Sequence, residues 1–168
     1  MLIIIVLMTS FYSLSRFYDT SFLAYSSGDP LWQLLSAQLL HTSFIHLLFN
    51  SVIFLSFVNV IDKYINKYAA AMITLVSSSA ALYLSAQPMP MQGLSAAVFA
   101  LIGIVLFRMV QRDYQGWERF AVNILVVLIL QCLIADNVNN MAHVLSLCFS
   151  IILTLTYDYF ERHLRRKQ

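Results

Sequence analysis

The sequence predicts an all-α membrane protein: a single domain over residues 1–168, folded as a bundle of six transmembrane helices. Hydrophobic residues make up 60% of the chain and charged residues 11%, whereas a soluble domain carries about 25% charged residues. The mean hydropathy is +0.76, and six apolar runs are separated by short polar breaks. These values exclude a soluble globular protein, a disordered chain and a nucleic-acid-binding domain. Since one span needs roughly 20 residues, six spans leave no room for a separate soluble domain.

The six runs occupy approximately residues 1–16, 44–61, 69–86, 94–107, 120–135 and 141–160. Nine of the ten Lys and Arg residues fall in the breaks 62–68 and 108–119 or in the tail after residue 160, and only Arg16 lies on the other side. Because cationic loops tend to stay in the cytoplasm, both termini are expected to be cytoplasmic. The second, fourth and sixth spans then run from the outer face to the inner face.

The first run and the segment after it allow two interpretations. Ala24-Tyr25-Ser26 would be a passable signal-peptide cleavage site, but no Lys or Arg precedes the apolar stretch, which favours a retained span. Residues 17–43 are apolar enough to lie in the membrane interface.

Cys132 and Cys148 fall inside apolar runs, where we expect small packing residues rather than a disulfide pair.

Polar side chains near the outer end of the second span are candidate functional residues, because such groups are costly inside a membrane. His46 and Asn50 are four residues apart and share one helix face, and His41 precedes them at the loop boundary. The structural alternative is a polar bridge between helices. A haem or metal site is less favoured, because His41 and His46 do not share a face and no carboxylate or Cys is close in sequence.

Ser95 opens the fourth span, after a loop that contains Pro88 and Pro90. It could simply cap the helix. It could also be a nucleophile, because the free N–H groups and the positive dipole end of a helix N-terminus would stabilise an oxyanion beside its hydroxyl. Phe99 and Gly103 continue the same face.

His143 opens the sixth span, beside a stripe of small residues that permits close helix packing: Ala142, Ser146 and Ser150. If the packing partner is the fourth span, His143 can reach Ser95. The alternative is a lone His bonded to a loop carbonyl. Together the three regions supply a nucleophile, a general base and oxyanion donors, which is the inventory of an acyl-transfer site.

The fourth span is short, which bears on the depth of this site. The helix from Ser95 to Arg108 covers about 20 Å of an apolar slab of about 30 Å. With Arg108 at the inner interface, Ser95 would lie roughly 10 Å below the outer surface. The site would then be inside the membrane and would have to hold water.

In their order, spacing and common side, these motifs resemble those of the rhomboid intramembrane serine proteases of the six-helix bacterial type. The resemblance extends from Trp32 to the tail and rests on His41-x4-His46-x3-Asn50, on Gly93-x-Ser95 and on Ala142-His143. It implies a serine endopeptidase that needs no metal and no cofactor. It also implies that Ser95 is the nucleophile and His143 the general base of a dyad without an acid.

The resemblance further implies that His46, Asn50 and the backbone N–H of Ser95 form the oxyanion hole. It implies that Phe99 packs on the ring of His143.

The chain departs from the family pattern at four points. Ala96 follows the nucleophile where Gly is normal, and Ser146 and Ser150 stand where Gly is usual after the histidine. The Trp-Arg pair of the first outer loop reads Trp32-Gln33, and that loop is short. These changes leave the dyad in place, but they could lower activity.

The function expected from the resemblance is cleavage of transmembrane or juxtamembrane segments of membrane proteins in the lipid bilayer. The location expected is a bacterial inner membrane, with the site toward the periplasmic face. No nucleic-acid partner is expected, and the oligomeric state is left open. One alternative is a weak or inactive rhomboid-like binder of transmembrane helices, motivated by Ala96. Others are a small haem or transport subunit and, within the protease hypothesis, a rhombosortase-like enzyme that trims C-terminal anchors.

Overall fold

The computed structural model describes residues 2–86, 88–134 and 139–165. Within these ranges it contains seven α-helices, three short 3-10 turns and no β-strand, apart from one isolated bridge between Tyr25 and Met91. The helices are α1 (Leu2–Ser15), α2 (Gln33–Ser36), α3 (Phe44–Val58), α4 (Lys67–Leu84), α5 (Ser95–Gln111), α6 (Trp117–Ile134) and α7 (Asn140–Arg165). The all-helical prediction is therefore confirmed for the described part of the chain.

Each of the six predicted apolar runs coincides with one of these helices. Two stretches among the described residues, Phe44–Lys63 and Asn140–Leu164, are long and apolar enough to cross a membrane. Ile3–Ser15 and Ser95–Gln111 are shorter apolar helices. Three features of the sequence prediction lie outside the described residues: positions 136–138 of the polar break 136–140, the side chain of Cys132, and the end of the basic tail at Arg166 and Lys167.

Helix α5 occupies the centre of the bundle and packs on α3, α4 and α7. Every side chain from Ala96 to Val105 is buried, as expected for a helix that is apolar on all sides. Large exposed apolar side chains cover the surrounding helices instead, including Val52, Leu75 and Ile152. Such a surface suits contact with lipid rather than water.

Helices α5 and α7 run parallel and in close contact. Contacts between them join residues separated by 47 to 50 positions: Ser95 and His143, Ala96 and Ser146, Gly103 and Ser150, and Arg108 and Asp158. A Cβ atom at Gly103 would lie 2.6 Å from the carbonyl oxygen of Leu147 and would clash with Ser150 Oγ. The small residues of α7 therefore pack directly against α5.

Arg108 and Asp158 connect α5 and α7 at the end opposite Ser95. The Arg108 guanidinium donates to both carboxylate oxygens of Asp158 at 2.6 Å, and Gln111 donates to the same carboxylate at 3.1 Å. Both charged residues are buried. The sequence predicted an interfacial position for Arg108 but not its ion pair with Asp158, which neutralises the guanidinium within the bundle. The depth of about 10 Å expected for Ser95 depended on that interfacial position.

The segment 17–43 folds back onto the bundle. Tyr25, Leu34 and Ala37 are buried in a cluster with residues of α4, α5 and α7, while Phe17 and Leu31 remain exposed. Gln33 is buried, and its side-chain amide donates to the carbonyl of Phe22 at 2.6 Å.

Cys148 carries a free thiol and does not pack inside the bundle, as the sequence had predicted it would. Its side chain is exposed on the outer surface of α7.

Candidate active site

Ser95 is the first residue of α5. Leu94 occupies the N-cap position, without a side-chain capping bond, so Ser95 is not the cap considered from the sequence. The turn before it contains Gly93 with a φ of +121°, a conformation that favours glycine. As the first helical residue, Ser95 has a backbone N–H that no carbonyl of its own helix can accept.

The hydroxyl of Ser95 meets the imidazole of His143. Ser95 Oγ and His143 Nε2 are 2.7 Å apart, within the range in which a base can take a proton. The ring of Phe99 stacks on that of His143, with centroids 4.5 Å apart and planes at 15°. His143 is 3% exposed, and its Nδ1 has no hydrogen-bond partner among the described residues. The described contacts thus form a pair without an acid.

Two polar side chains fix the beginning of α7 relative to its neighbours. Asn139 Oδ1 accepts from the N–H of Ala142 at 3.0 Å, and its Nδ2 donates to the carbonyl of Ser85 at 3.0 Å. Ser146 Oγ donates to the carbonyl of Ala96 at 2.6 Å. Because these bonds flank His143 along the helix, they hold its ring against Ser95. Ala96 is 1% exposed, so its methyl group is accommodated.

His46 and Asn50 on α3 lie against the turn that leads to Ser95. A Cβ atom at Gly93 would be 2.9 Å from His46 Nε2 and 3.7 Å from Asn50 Nδ2. Glycine at this position therefore allows the turn to approach both side chains. The four predicted site residues, including Ser95 and His143, consequently lie at the same end of the bundle.

His41 supports this pair from the loop before α3. Its Nε2 lies 3.1 Å from Asn50 Nδ2, and its ring meets that of His46 edge-on, with centroids 5.0 Å apart. Burial lowers the pKa of His41 to about 4, so the ring is neutral at pH 7. A neutral Nε2 can accept one N–H of Asn50 and leave the second N–H free to donate.

The role of Asn139 and the hydrogen bond of His41 were not predicted from the sequence. An Asn directly before an apolar periodic run is a signal for a helix start and could have identified Asn139. The contact of His41 joins a loop to a helix face, and spacing alone does not indicate it. Among the residues that the structure describes, no three His, Cys, Asp or Glu side chains cluster as a metal site would require.

The family model of the rhomboid domain matches residues 28–159. The chain belongs to the rhomboid family. It is also similar to a protein of Bacillus subtilis (strain 168) named "Putative rhomboid protease YdcA", with 29% identity over 131 residues. The match covers 73% of this chain and 65% of the relative, so the chain spans just under two thirds of that curated relative. The resemblance seen in the sequence is confirmed. All four predicted site residues of this rhomboid chain lie inside the matched region, whereas α1 precedes it.

Proposed function

We propose that this rhomboid chain is an intramembrane serine endopeptidase with Ser95 as nucleophile and His143 as general base. The observation that carries the proposal is the distance of 2.7 Å between Ser95 Oγ and His143 Nε2. The two side chains come from the first turns of parallel helices that pack closely along their length. The alternative of an inactive binder would not require a base within reach of the hydroxyl.

In this mechanism, Ser95 Oγ attacks a substrate carbonyl while its proton passes to His143 Nε2. The oxyanion that forms is stabilised by His46, by the free N–H of Asn50 and by the backbone N–H of Ser95. One such donor contributes typically about 10²–10³ in rate. His143 then gives its proton to the leaving amine, and water hydrolyses the acyl-enzyme through the same base.

We extend the proposal to the setting of the reaction. The chain would form one domain with six spans and cytoplasmic termini in a bacterial inner membrane, with Ser95 toward the periplasmic face. Lys63, Arg112 and Arg162 support this orientation, because they lie at the end of the bundle opposite Ser95. The substrate is a membrane protein whose transmembrane or juxtamembrane helix unwinds, because helical hydrogen bonds otherwise shield the peptide bond.

The test uses the full chain in lipid vesicles with a single-span reporter substrate and a fluorophosphonate label. The wild type is expected to cleave the reporter and to be labelled, and Ser95→Ala to do neither. Ser77→Ala is a matched control, because Ser77 is a buried serine on α4. Equal cleavage by wild type and Ser95→Ala would end the proposal. A folded wild type that is neither labelled nor active would favour the binder.

A further inference from the structure

A polar cleft lies at the end of the bundle opposite Ser95. Its volume is about 510 Å³, within the range of small-molecule sites. One wall is the connection 62–66 between α3 and α4, and the others are the ends of α5 and α7. None of the proposed active-site residues lines it, so its role can be tested independently of proteolysis.

The charges around the cleft leave cationic groups available. Arg108 and Asp158 form its buried wall and neutralise each other. The remaining cations are Lys63, Arg112 and Arg162, all exposed, against the carboxylates of Asp62 and Glu161: three cations and two carboxylates.

Arg112 already holds one wall of the cleft in place. Its guanidinium donates to the carbonyl of Lys63 at 2.9 Å and to that of Tyr64 at 3.4 Å. Lys63 and Arg162 make no ion pair with any described residue. An anion that enters the cleft would therefore meet, beside a fixed turn, two cations that have no ion pair within the described part of the chain.

Exposed aromatic residues at this end indicate how deep the cleft lies in the membrane. Tyr68, Tyr114, Tyr159 and Phe160 are each more than half exposed. Tyrosine side chains such as the first three concentrate at the level of the lipid headgroups. The cleft therefore opens where the phosphate groups of lipids are abundant.

We propose that this cleft binds the phosphate of a phospholipid headgroup. Lys63 and Arg162 would donate charge-assisted hydrogen bonds to the phosphate oxygens, and the remaining N–H groups of Arg112 would add to them. Basic pockets between transmembrane helices bind headgroups in this way. The acyl chains would extend along the apolar outer surface of the bundle.

The experiment uses the full chain in detergent micelles and follows its thermal unfolding during titration with dioleoylphosphatidylglycerol. The lipid is expected to raise the Tm saturably. Dioleoylglycerol, which has the same acyl chains and no phosphate, is expected to leave it unchanged. Inorganic phosphate at the same concentration is also expected to have no effect, because it lacks the contribution of the chains.

Two double variants identify the site. Lys63→Gln/Arg162→Gln is expected to weaken the apparent affinity roughly thirtyfold, and either single change by roughly fivefold. Lys67→Gln/Arg119→Gln is the matched control: it removes the same charge from exposed positions at the same end, outside the cleft. Its affinity is expected to stay within about threefold of the wild type.

Three results would overturn the proposal. Equal protection by dioleoylglycerol would mean that the acyl chains alone stabilise the protein. Equal protection by inorganic phosphate would make the ligand a free anion instead of a lipid. Equal weakening in both double variants would mean that the charge of the whole surface, rather than the cleft, attracts the lipid.

Discussion

The two ends of the α5–α7 pair hold polar contacts of opposite kinds. At one end, Ser95 and His143 share a single hydrogen bond, and His143 Nδ1 has no partner in the described chain. At the other end, both Nη atoms of Arg108 and both carboxylate oxygens of Asp158 are engaged. This ion pair holds two helices together, and only the Nε of Arg108 lacks a partner among the described residues. An unsaturated contact leaves a base available for a substrate.

The largest expected effect is the loss of that base. His143→Ala should lower the rate of reporter cleavage by at least about 10³-fold, because the Ser95 proton then has no acceptor. His163→Ala is the control, because His163 lies exposed near the other end of the same helix. Cleavage assays on both variants check this, and a His143→Ala variant within tenfold of the wild type would contradict the proposed role.

At the end that holds Arg108 and Asp158, substitutions should change the free energy of unfolding rather than the rate of cleavage. Asp158→Leu leaves the Arg108 guanidinium buried without a counter-charge, which should cost about 3–5 kcal/mol of unfolding free energy. Arg108→Met/Asp158→Leu should recover most of this loss, because it removes both charges. Denaturant titration in micelles measures both variants. If the double variant is no more stable than Asp158→Leu, the loss does not come from the unpaired charge.

Removal of an oxyanion donor should have an intermediate effect, confined to the end that carries Ser95. Asn50→Ala should lower kcat by about 10²–10³-fold and leave KM nearly unchanged, because the donor acts on charge that develops only in the transition state. Asn123→Ala, an exposed Asn on α6, is the control. A rise in KM at constant kcat would instead assign Asn50 to substrate binding.

The smallest effect expected is a pH dependence of stability at the Ser95 end, through His41. Burial lowers the pKa of His41 to about 4 from 6.5. In that interval the unfolded chain binds a proton that the folded chain does not bind. Protonation of His41 therefore does not reduce the free energy of unfolding above pH 6.5. As the pH drops toward 4, it lowers the free energy of unfolding by about 3 kcal/mol at most.

Unfolding measured near neutral pH and near the lower end of that interval checks this sign. His41→Gln keeps an acceptor for Asn50 and cannot titrate, so it should lose less stability in acid than the wild type. Equal losses in the two proteins would mean that other groups cause the acid sensitivity.

Much of the fold could be predicted from the sequence, because a membrane span requires an uninterrupted apolar run. Each run overlaps one helix, and the family assignment followed from short motifs around Ser95 and His143. Their proximity could be anticipated because both residues open spans that were expected to run in the same direction. The hydrogen bond itself depends on how each helix is rotated, which the sequence pattern does not specify.

Two features of the structure were not predicted from the sequence, and each omission has a physical reason. The ion pair of Arg108 was not predicted because its partner Asp158 lies 50 residues away in the chain, although an acid inside an apolar run was itself a signal. Cys148 was expected to pack inside. Lipid is as apolar as a protein core, so hydropathy cannot tell which face of a membrane helix points outward.

Because of the packing around Gly103, the α7 side of the α5–α7 contact accepts substitutions that the α5 side cannot accept. On α7, serines occupy positions 146 and 150, where the family pattern has glycine, and both fit. On α5, any side chain at Gly103 would collide with the main chain of Leu147 as well as with Ser150. Descendants of this sequence can therefore exchange the hydroxyl-bearing residues of one helix, while the bare backbone of the other remains irreplaceable.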